Sequence, residues 1–285
     1  MSGSVLWFSI VLMVAAILLR KDNKLSEMIC GAGWLLFGFY WLTLIPHFYA
    51  KPDYTNVVLI LLLFGFCALV AGFMARAFKN PSRRSHPKHS ESQKLDKGVS
   101  RLFDLTKLIA IVCIIYMPFS LIEPLNHIII GSVASQTVSV LNLLGYEAVH
   151  LAYNTIGYNG IVVTVILACT AIESIAFFTG LILAVPHSSS KTKMVLFFIT
   201  VPVIYILNLA RNIFIVIAYG DLWFGPNSFD IAHHYIAKGA SCVALIVLAY
   251  ISMKMLPELM DMVVDIFEWG IAEIKHVLRI KPKEK

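Results

Sequence analysis

Seven apolar stretches, most of them long enough to cross a lipid bilayer, constrain this chain more than any other feature. An α-helix rises about 1.5 Å per residue, so about 20 apolar residues span the hydrocarbon layer. Apolar residues make up 59% of the 285 residues, more than a soluble domain of this length can bury. The sequence therefore predicts an all-α, polytopic transmembrane bundle of about seven helices. The stretches cover roughly residues 4–19, 28–48, 56–78, 105–130, 161 or 170–185, 194–219 and 231–253.

The basic residues indicate how these helices are oriented. Of the 23 lysine and arginine residues, 20 fall in four segments, at residues 20–24, 76–107, 191–193 and 254–285. Short cytoplasmic loops collect Lys and Arg, so the four segments are predicted to face the cytoplasm and the N-terminus the exterior. Residues 1–19 lack a basic region before the apolar run, which favours an uncleaved first helix. The net charge of +6 reflects this topology and attraction to anionic lipid, not nucleic acid binding.

Two polar segments interrupt or follow the apolar ones. Residues 1–256 are predicted to form the transmembrane bundle, with a polar cytoplasmic loop at residues 79–104 that is rich in Ser, Lys, Arg and His. Residues 257–285 form a tail in which apolar residues recur at helical spacing with carboxylates between them. This spacing predicts an amphipathic helix that lies along the inner membrane interface or, alternatively, packs against the bundle.

The segment from residue 131 to residue 164 is too polar for a simple span. Within it, Asn159-Gly160 precedes the β-branched run IVVTVI, which is typical of a hairpin turn. A short ribbon or re-entrant element on the outer face is therefore predicted, because non-helical backbone at that depth survives only against protein or water. Residues 161–168 fit either a strand or the first turns of the next helix.

Three reactive side chains fall in the last three apolar stretches: Cys169 in ACTAIES, Arg211 in NLARNIF and His233 in FDIAHHY. Lipid-facing residues would be apolar, so polar residues at these positions indicate contacts inside the bundle. A thiol, a fixed cation and an imidazole are what a cysteine nucleophile needs to attack a carbonyl. An intramembrane active site open to the outer side is the leading hypothesis.

Two readings of residues 161–168 both place the Cys169 thiol toward the outer side. If these residues are helical, Cys169 lies about 12 Å from the outer end of its helix, at a depth similar to that of Arg211. If they form a strand, Cys169 lies at a helix N-terminus, where free amides and the helix dipole stabilise a thiolate.

Arg211 requires polar partners, because an arginine within a span costs at least roughly 2.5–3.5 kcal/mol on insertion scales and keeps its proton. Asn208 and Asn212 adjoin it, and Glu173, one turn after Cys169, is a candidate for an ion pair with it. In the functional interpretation Arg211 stabilises a developing oxyanion. The alternative is a clamp between helices with no catalytic role.

His233 and His234 are neighbours and point in different directions on a helix, so only one faces the thiol easily. We favour His233 as the proton carrier and treat His234 as its substitute. Asp221 and Asp230 are candidates to orient the imidazole, or are solvated loop residues or a helix N-cap.

The remaining cysteines are interpreted as packing residues, because a thiol within an apolar helix behaves as a small hydrophobic group. They are Cys30, Cys67, Cys113 and Cys242. No CxxC motif or Cys/His ligand spacing occurs, so the sequence indicates no disulfide framework, metal site or organic cofactor.

Taken in order, ACTAIES, NLARN and IAHHYIAKGAS on successive helices resemble the exosortase and archaeosortase family of membrane transpeptidases. The resemblance covers roughly residues 105–253 and implies a catalytic set of Cys169, Arg211 and His233. The ACTAIES form is more similar to the archaeal branch than to the bacterial form, in which CSG is usual. The chain departs from that form at Thr170-Ala171.

The resemblance implies protein substrates with a C-terminal sorting signal, composed of a short motif, a transmembrane helix and a basic tail. It also implies transfer to a membrane lipid or another amine, with the active site toward the extracytoplasmic face. Cys169 would attack the scissile carbonyl, Arg211 would hold the oxyanion and His233 would carry protons. Two other functions fit the same residues: a transporter or channel with an Arg211–His233 pathway, and a scaffold whose polar residues only join helices.

Overall fold

The computed structural model describes residues 2–19, 24–79 and 90–278, which are mostly helical. The helices are α1 (Ser2–Leu19), α2 (Leu25–Leu42), α3 (Ile45–Tyr49), α4 (Tyr54–Lys79), α5 (Ser90–Leu121), α6 (Glu123–Leu143), α7 (Ile172–Ala184), α8 (Ser190–Gly220), α9 (Lys238–Met255) and α10 (Pro257–Val277). A single α-helical turn at Ser228–Asp230 and a π-helix at Ile231–Ala237 lead into α9.

The predicted transmembrane bundle is confirmed. Within the described ranges, five helical segments are long and apolar enough to cross a membrane. Two shorter apolar helices, Gly3–Leu19 and Ile172–Ala184, bring the apolar helices to the predicted seven. The five segments are Leu25–Tyr49, Tyr54–Lys79, Gln93–Leu121, Ser190–Gly220 and Gly225–Met255.

The fourth predicted stretch, residues 105–130, is not one helix. Helix α5 ends at Leu121, Ile122 is extended, and α6 begins at Glu123. Pro124 lies in the first turn of α6, where its missing N–H leaves no intrahelical hydrogen bond unmade. Helix α6 then continues to Leu143, so the first part of the polar segment 131–164 is helical and the irregular structure begins only after Leu143.

Helix α5 also extends into the segment predicted as a polar loop. Residues 90–104 are helical, whereas residues 80–89 of that loop lie outside the described residues. The reason is an apolar face within the polar sequence, since Val99, Leu102 and Phe103 are all buried.

One compact unit contains the described residues of 1–110, 184–186 and 260–285. In its core, the Trp34 indole Nε1 donates a hydrogen bond to Thr106 Oγ1 at 2.8 Å, which joins α2 to α5. Helix α2 approaches α4 closely at Gly38, where an added Cβ would lie 2.9 Å from the Cβ of Cys67. A small residue at such a contact is the usual means of packing helices within a membrane.

The second unit contains residues 111–183 and 187–259. Its core joins α6, a small sheet and the Gly220 end of α8. Buried side chains from all three meet there: Ile130, Val133, Ala134, Val138 and Leu141 from α6, Ile156 from the sheet, and Val216 and Ile217 from α8.

The sheet is the hairpin element that the sequence predicted. Strands β1 (Val149–Ala152), β2 (Thr155–Tyr158) and β3 (Ile161–Thr164) pair antiparallel in that order. Asn159 and Gly160 form the two-residue turn between β2 and β3, with φ of +46° and +79°. Two successive positive φ values are typical of the type I′ turn that Asn-Gly favours. Residues 161–164 are thus a strand, and α7 begins only at Ile172.

The β2–β3 turn is fixed to the end of α8. Tyr158 Oη donates a hydrogen bond to Asp221 Oδ1 at 2.8 Å, and Asn159 Nδ2 donates to the carbonyl oxygen of Gly220 at 2.9 Å. The bond to the Asp221 carboxylate raises the pKa of Tyr158 to about 12, so the phenol remains a donor at neutral pH. The Tyr158 ring covers Gly220 so closely that an added Cβ would lie 2.3 Å from Cδ1 of the ring.

We expect Gly220→Ala to loosen the hairpin, because the Tyr158 ring is held by Asp221 and cannot move away freely. Overpacking of this kind costs about 1–3 kcal/mol of unfolding free energy. The measurement is the thermal unfolding midpoint of the purified protein in detergent. Gly239→Ala in α9 is the matched control, since an added Cβ there meets nothing within 4 Å. Equal midpoints for the wild type and Gly220→Ala would contradict the proposed contact.

Candidate active site

Cys169 lies in a tight turn between β3 and α7. A 3₁₀ turn spans Leu167–Cys169, and the Cys169 amide donates to the carbonyl oxygen of Ile166 at 2.8 Å. Thr170 is buried, and its hydroxyl donates to the carbonyl oxygen of Leu167 at 2.7 Å. The thiol is half-buried and packs in part against the core of the second unit. Cys169 therefore stands just before the N-terminus of a 13-residue helix.

Ala171 joins this turn to α7 with a strained backbone. Its φ is +64°, in the left-handed region where a Cβ atom is unfavourable by roughly 1–2 kcal/mol. Glycine is the residue that adopts this conformation without cost. The bacterial CSG form, from which the chain departs at Thr170-Ala171, has its glycine at the position of Ala171, and the backbone conformation here suits a glycine.

Two asparagine side chains hold the Cys169 turn against α8. Asn208 Nδ2 donates to the carbonyl oxygen of Cys169 at 2.7 Å, and Asn212 Nδ2 donates to the same oxygen at 2.9 Å. A carbonyl oxygen has two lone pairs, so the two amides satisfy it fully. Their spacing of four residues places both amides on one face of α8.

Arg211 lies between these asparagines on α8 and extends toward the last span. Its Nη2 atom is 3.5 Å from Nε2 of His233. Its Nε is buried and has no hydrogen-bond partner among the described residues, and the same holds for Nδ1 of His233. A buried donor without a partner costs about 1–3 kcal/mol, which a bound acceptor would recover.

The two histidines lie in the π-helix Ile231–Ala237 and have different partners. The His233 ring stacks on Phe229 with centroids 5.2 Å apart and faces Arg211. His234 is exposed, and its Nδ1 lies 2.9 Å from Asp230 Oδ1. A π-helix is rare and occurs most often as a local distortion at a functional site. The structure therefore brings Arg211 to His233, whereas His234 contacts Asp230 and packs edge-on against the His233 ring, with ring centroids 4.6 Å apart.

Glu173 is not a partner of Arg211. It is exposed and accepts a hydrogen bond from Tyr116 Oη at 3.0 Å, so α7 directs it toward α5. Among the described residues no ion pair joins Glu173 to Arg211. The proposed orienting acids also lie elsewhere, since Asp221 binds Tyr158 and Asp230 binds His234.

Three features of the site were missed from the sequence. The aromatic stack on His233 had a weak signal, because Phe229 precedes His233 by four residues. The positive φ of Ala171 had none, because alanine does not favour it. The phenol of Tyr116 comes from a distant part of the chain. No three His, Cys, Asp or Glu side chains converge as metal ligands would in the part of the chain that the structure describes.

Comparison with known proteins agrees with the resemblance read from the motifs. The profile of the transmembrane exosortase family matches residues 4–250. The chain is similar to archaeosortase A of Haloferax volcanii, with 28% identity over an alignment 303 positions long, gaps included, that covers 93% of each protein. Archaeosortase A of Natronomonas pharaonis is 29% identical over an alignment of 273 positions, which covers 85% of this chain and 80% of that protein. No solved structure matches the chain significantly.

We expect Ala171→Gly to preserve or raise stability. The change removes left-handed strain, while the greater entropy of glycine in the unfolded chain offsets about 0.4–1 kcal/mol of that gain. Ala171→Val keeps the strain and adds a branched side chain, so it should lower the unfolding free energy by more than about 1 kcal/mol.

The measurement is thermal unfolding of both variants in one detergent. Ala176→Gly is the matched control, because Ala176 lies inside helix α7 and glycine there costs about 1 kcal/mol. If Ala171→Gly destabilised the protein as much as Ala176→Gly does, residue 171 would not have the left-handed conformation described here.

Proposed function

The chain belongs to the transmembrane exosortase family, and on this basis we propose that it is an integral-membrane cysteine protease and transpeptidase. It cleaves the C-terminal sorting signals from exported proteins and transfers the cleaved proteins to a lipid or another anchor. The proposal is supported by contacts that connect the three motifs at one level of α8. There Asn208 and Asn212 hold the Cys169 turn, and Arg211 meets His233 beside it.

Cys169 is the proposed nucleophile. Its position before the N-terminus of α7 suits a thiolate, because the unpaired amides and the helix dipole favour negative charge there. The thiolate sulfur attacks the scissile carbonyl carbon and forms a tetrahedral intermediate. The C–N bond then breaks, the amine leaves with the downstream part of the substrate, and a thioester joins the upstream part to Cys169.

Arg211 stabilises the oxyanion, and His233 transfers protons. A guanidinium keeps its proton, so Arg211 serves as a hydrogen-bond donor to the oxyanion, and its Nε–H, which no described residue accepts, supports this role. His233 takes the proton of the Cys169 thiol as the thiolate forms and gives it to the leaving amine. It later takes a proton from the acceptor amine that attacks the thioester, and this proton returns to the Cys169 sulfur when the thioester breaks. Phe229 fixes the plane of the imidazole through the stacking contact.

The substrates are proteins that end in a short motif, a transmembrane helix and a basic tail. The basic segments of this chain are assigned to the cytoplasm by their Lys and Arg content. Helix α8 has Lys191 and Lys193 at its start and Arg211 in its second half, so the site lies toward the extracytoplasmic face. A substrate helix with a basic tail in the cytoplasm would present its motif on the same side as Cys169.

We expect Cys169→Ala to lower processing by at least about a thousandfold, because no other group can form the thioester. The assay is coexpression with an exported reporter that ends in a sorting signal, read as the ratio of uncut to cut reporter. Cys242→Ala is the matched control, since Cys242 is exposed on α9. Both variants must insert into the membrane at wild-type levels.

Thiol alkylation, followed by assays of processing and of flux, separates the proposed enzyme from the rival transporter or channel. An enzyme with a Cys169 nucleophile loses activity on thiol alkylation and forms a thioester adduct with substrate. A transporter whose Arg211 and His233 line a pathway retains its flux after alkylation. Normal processing by the Cys169→Ala protein would exclude the thiol as nucleophile.

We expect His233→Ala to lower processing by about 10²–10⁴-fold, the usual contribution of a general acid–base group. His234→Ala is the adjacent control and should retain most of the activity, because His234 contacts Asp230 whereas His233 is the histidine in contact with Arg211. The reverse order of effects, measured in the same reporter assay, would assign proton transfer to His234.

A further inference from the structure

Helix α10 presents three chemically different faces. One face packs within the first compact unit and carries residues spaced three or four apart. They are Met262, Asp265, Trp269 and Glu273. Met262 and Glu273 are 1% and 5% exposed, so this face is closely covered. It places two carboxylates against the protein and leaves most of the apolar residues of α10 on other faces.

The carboxylates of the packed face bind basic residues near the ends of two spans. Asp265 pairs with Lys97 Nζ at 2.7 Å and with Arg101 Nε at 2.8 Å, both on α5. Glu273 pairs with Arg76 on α4. Helix α10 therefore bridges α5 and α4.

These contacts place α10 at the boundary of the bilayer. Arg76 lies three residues before the end of the span Tyr54–Lys79, and Arg101 lies four residues before the apolar stretch of α5, which begins near residue 105. Charged residues at the ends of spans lie at the level of the lipid head groups. A helix that joins two such ends lies at the same level.

The face turned away from the protein is apolar and exposed. Its large side chains are 39–69% exposed and recur every three or four residues. They are Met260, Val263, Val264, Phe267, Ile271, Ile274, Val277 and Leu278. We name this set the α10 stripe. Between the stripe and the packed face lies an exposed polar edge of Asp261, Glu268 and Lys275, spaced by seven residues.

We infer that the α10 stripe is embedded in the lipid interface on the side of the basic residues, so that α10 is an interfacial membrane helix. Three observations favour lipid as the occupant: the level of α10, the length of the stripe and the polar edge that remains for water. The sequence after α10 continues with Arg279, Lys281, Lys283 and Lys285, which suits anionic head groups. The inference does not depend on the proposed reaction.

The test places a fluorophore at adjacent positions on different faces of α10. Phe267→Cys and Glu268→Cys are each made in a full-length chain that also carries Cys169→Ser and Cys242→Ser, since the other three cysteines are buried. Each protein is labelled with an environment-sensitive dye and placed in nanodiscs that contain anionic lipid. Quenching is measured with nitroxide-labelled lipid and with aqueous iodide.

The label at residue 267 should lose on the order of half its emission to lipid nitroxide and be protected from iodide, as expected for a side chain in the interface. The label at residue 268 should show the reverse. Quenching of both labels by iodide alone would overturn the inference. Protection of residue 267 from both quenchers would also overturn it, and would show that protein or a second copy covers the stripe.

A second pair of variants guards against a local effect of the dye. Ile271→Cys lies one turn further along the stripe, and the adjacent Ala272→Cys lies away from it, toward the polar edge. The same contrast between lipid and iodide quenching is expected for this pair. If residue 272 were quenched by lipid as strongly as residue 271, α10 would be rotated from the position inferred here.

Discussion

A guanidinium within a membrane span keeps its charge, and few polar groups are available there to bind it. The polar contacts near Arg211 in the second unit satisfy this requirement in part. Arg211 contacts His233, while the asparagines on either side of it bind the backbone at Cys169. The polar groups are thus gathered at one level of α8, and side chains farther along α8, including Ile215 and Val216, are apolar and buried. Side chains of α8 thus hold the turn that carries Cys169 and contact His233 at the same level of the helix.

Irregular backbone beside the bundle is stabilised in two ways. The hairpin satisfies its own hydrogen bonds through strand pairing and then docks at Gly220 through Tyr158 and Asn159. The Cys169 turn is instead stabilised from outside, by amides of α8. The left-handed conformation of Ala171 persists because these contacts fix the residues before it and α7 fixes those after it.

Much of the fold followed from patterns in single segments. Apolar runs predicted the spans, and Asn159-Gly160 before a β-branched run predicted the hairpin, because both structures depend on neighbouring residues. The break at Ile122 was missed although Pro124 is visible in the sequence, since the apolar pattern continues through it. The helical start of α5 was missed because its polar residues pair with α10, which lies far away in the chain.

The sequence by itself determined the number of apolar helices and the asymmetry of charge, and it supplied the candidate reactive residues. These depend on composition and on spacing along the chain. Only the tertiary structure decided that His233 faces Arg211 and that Glu173 binds Tyr116. A π-helix changes the directions in which side chains point relative to an α-helix. Contacts between distant segments depend on how the helices pack, and local sequence patterns do not encode that packing.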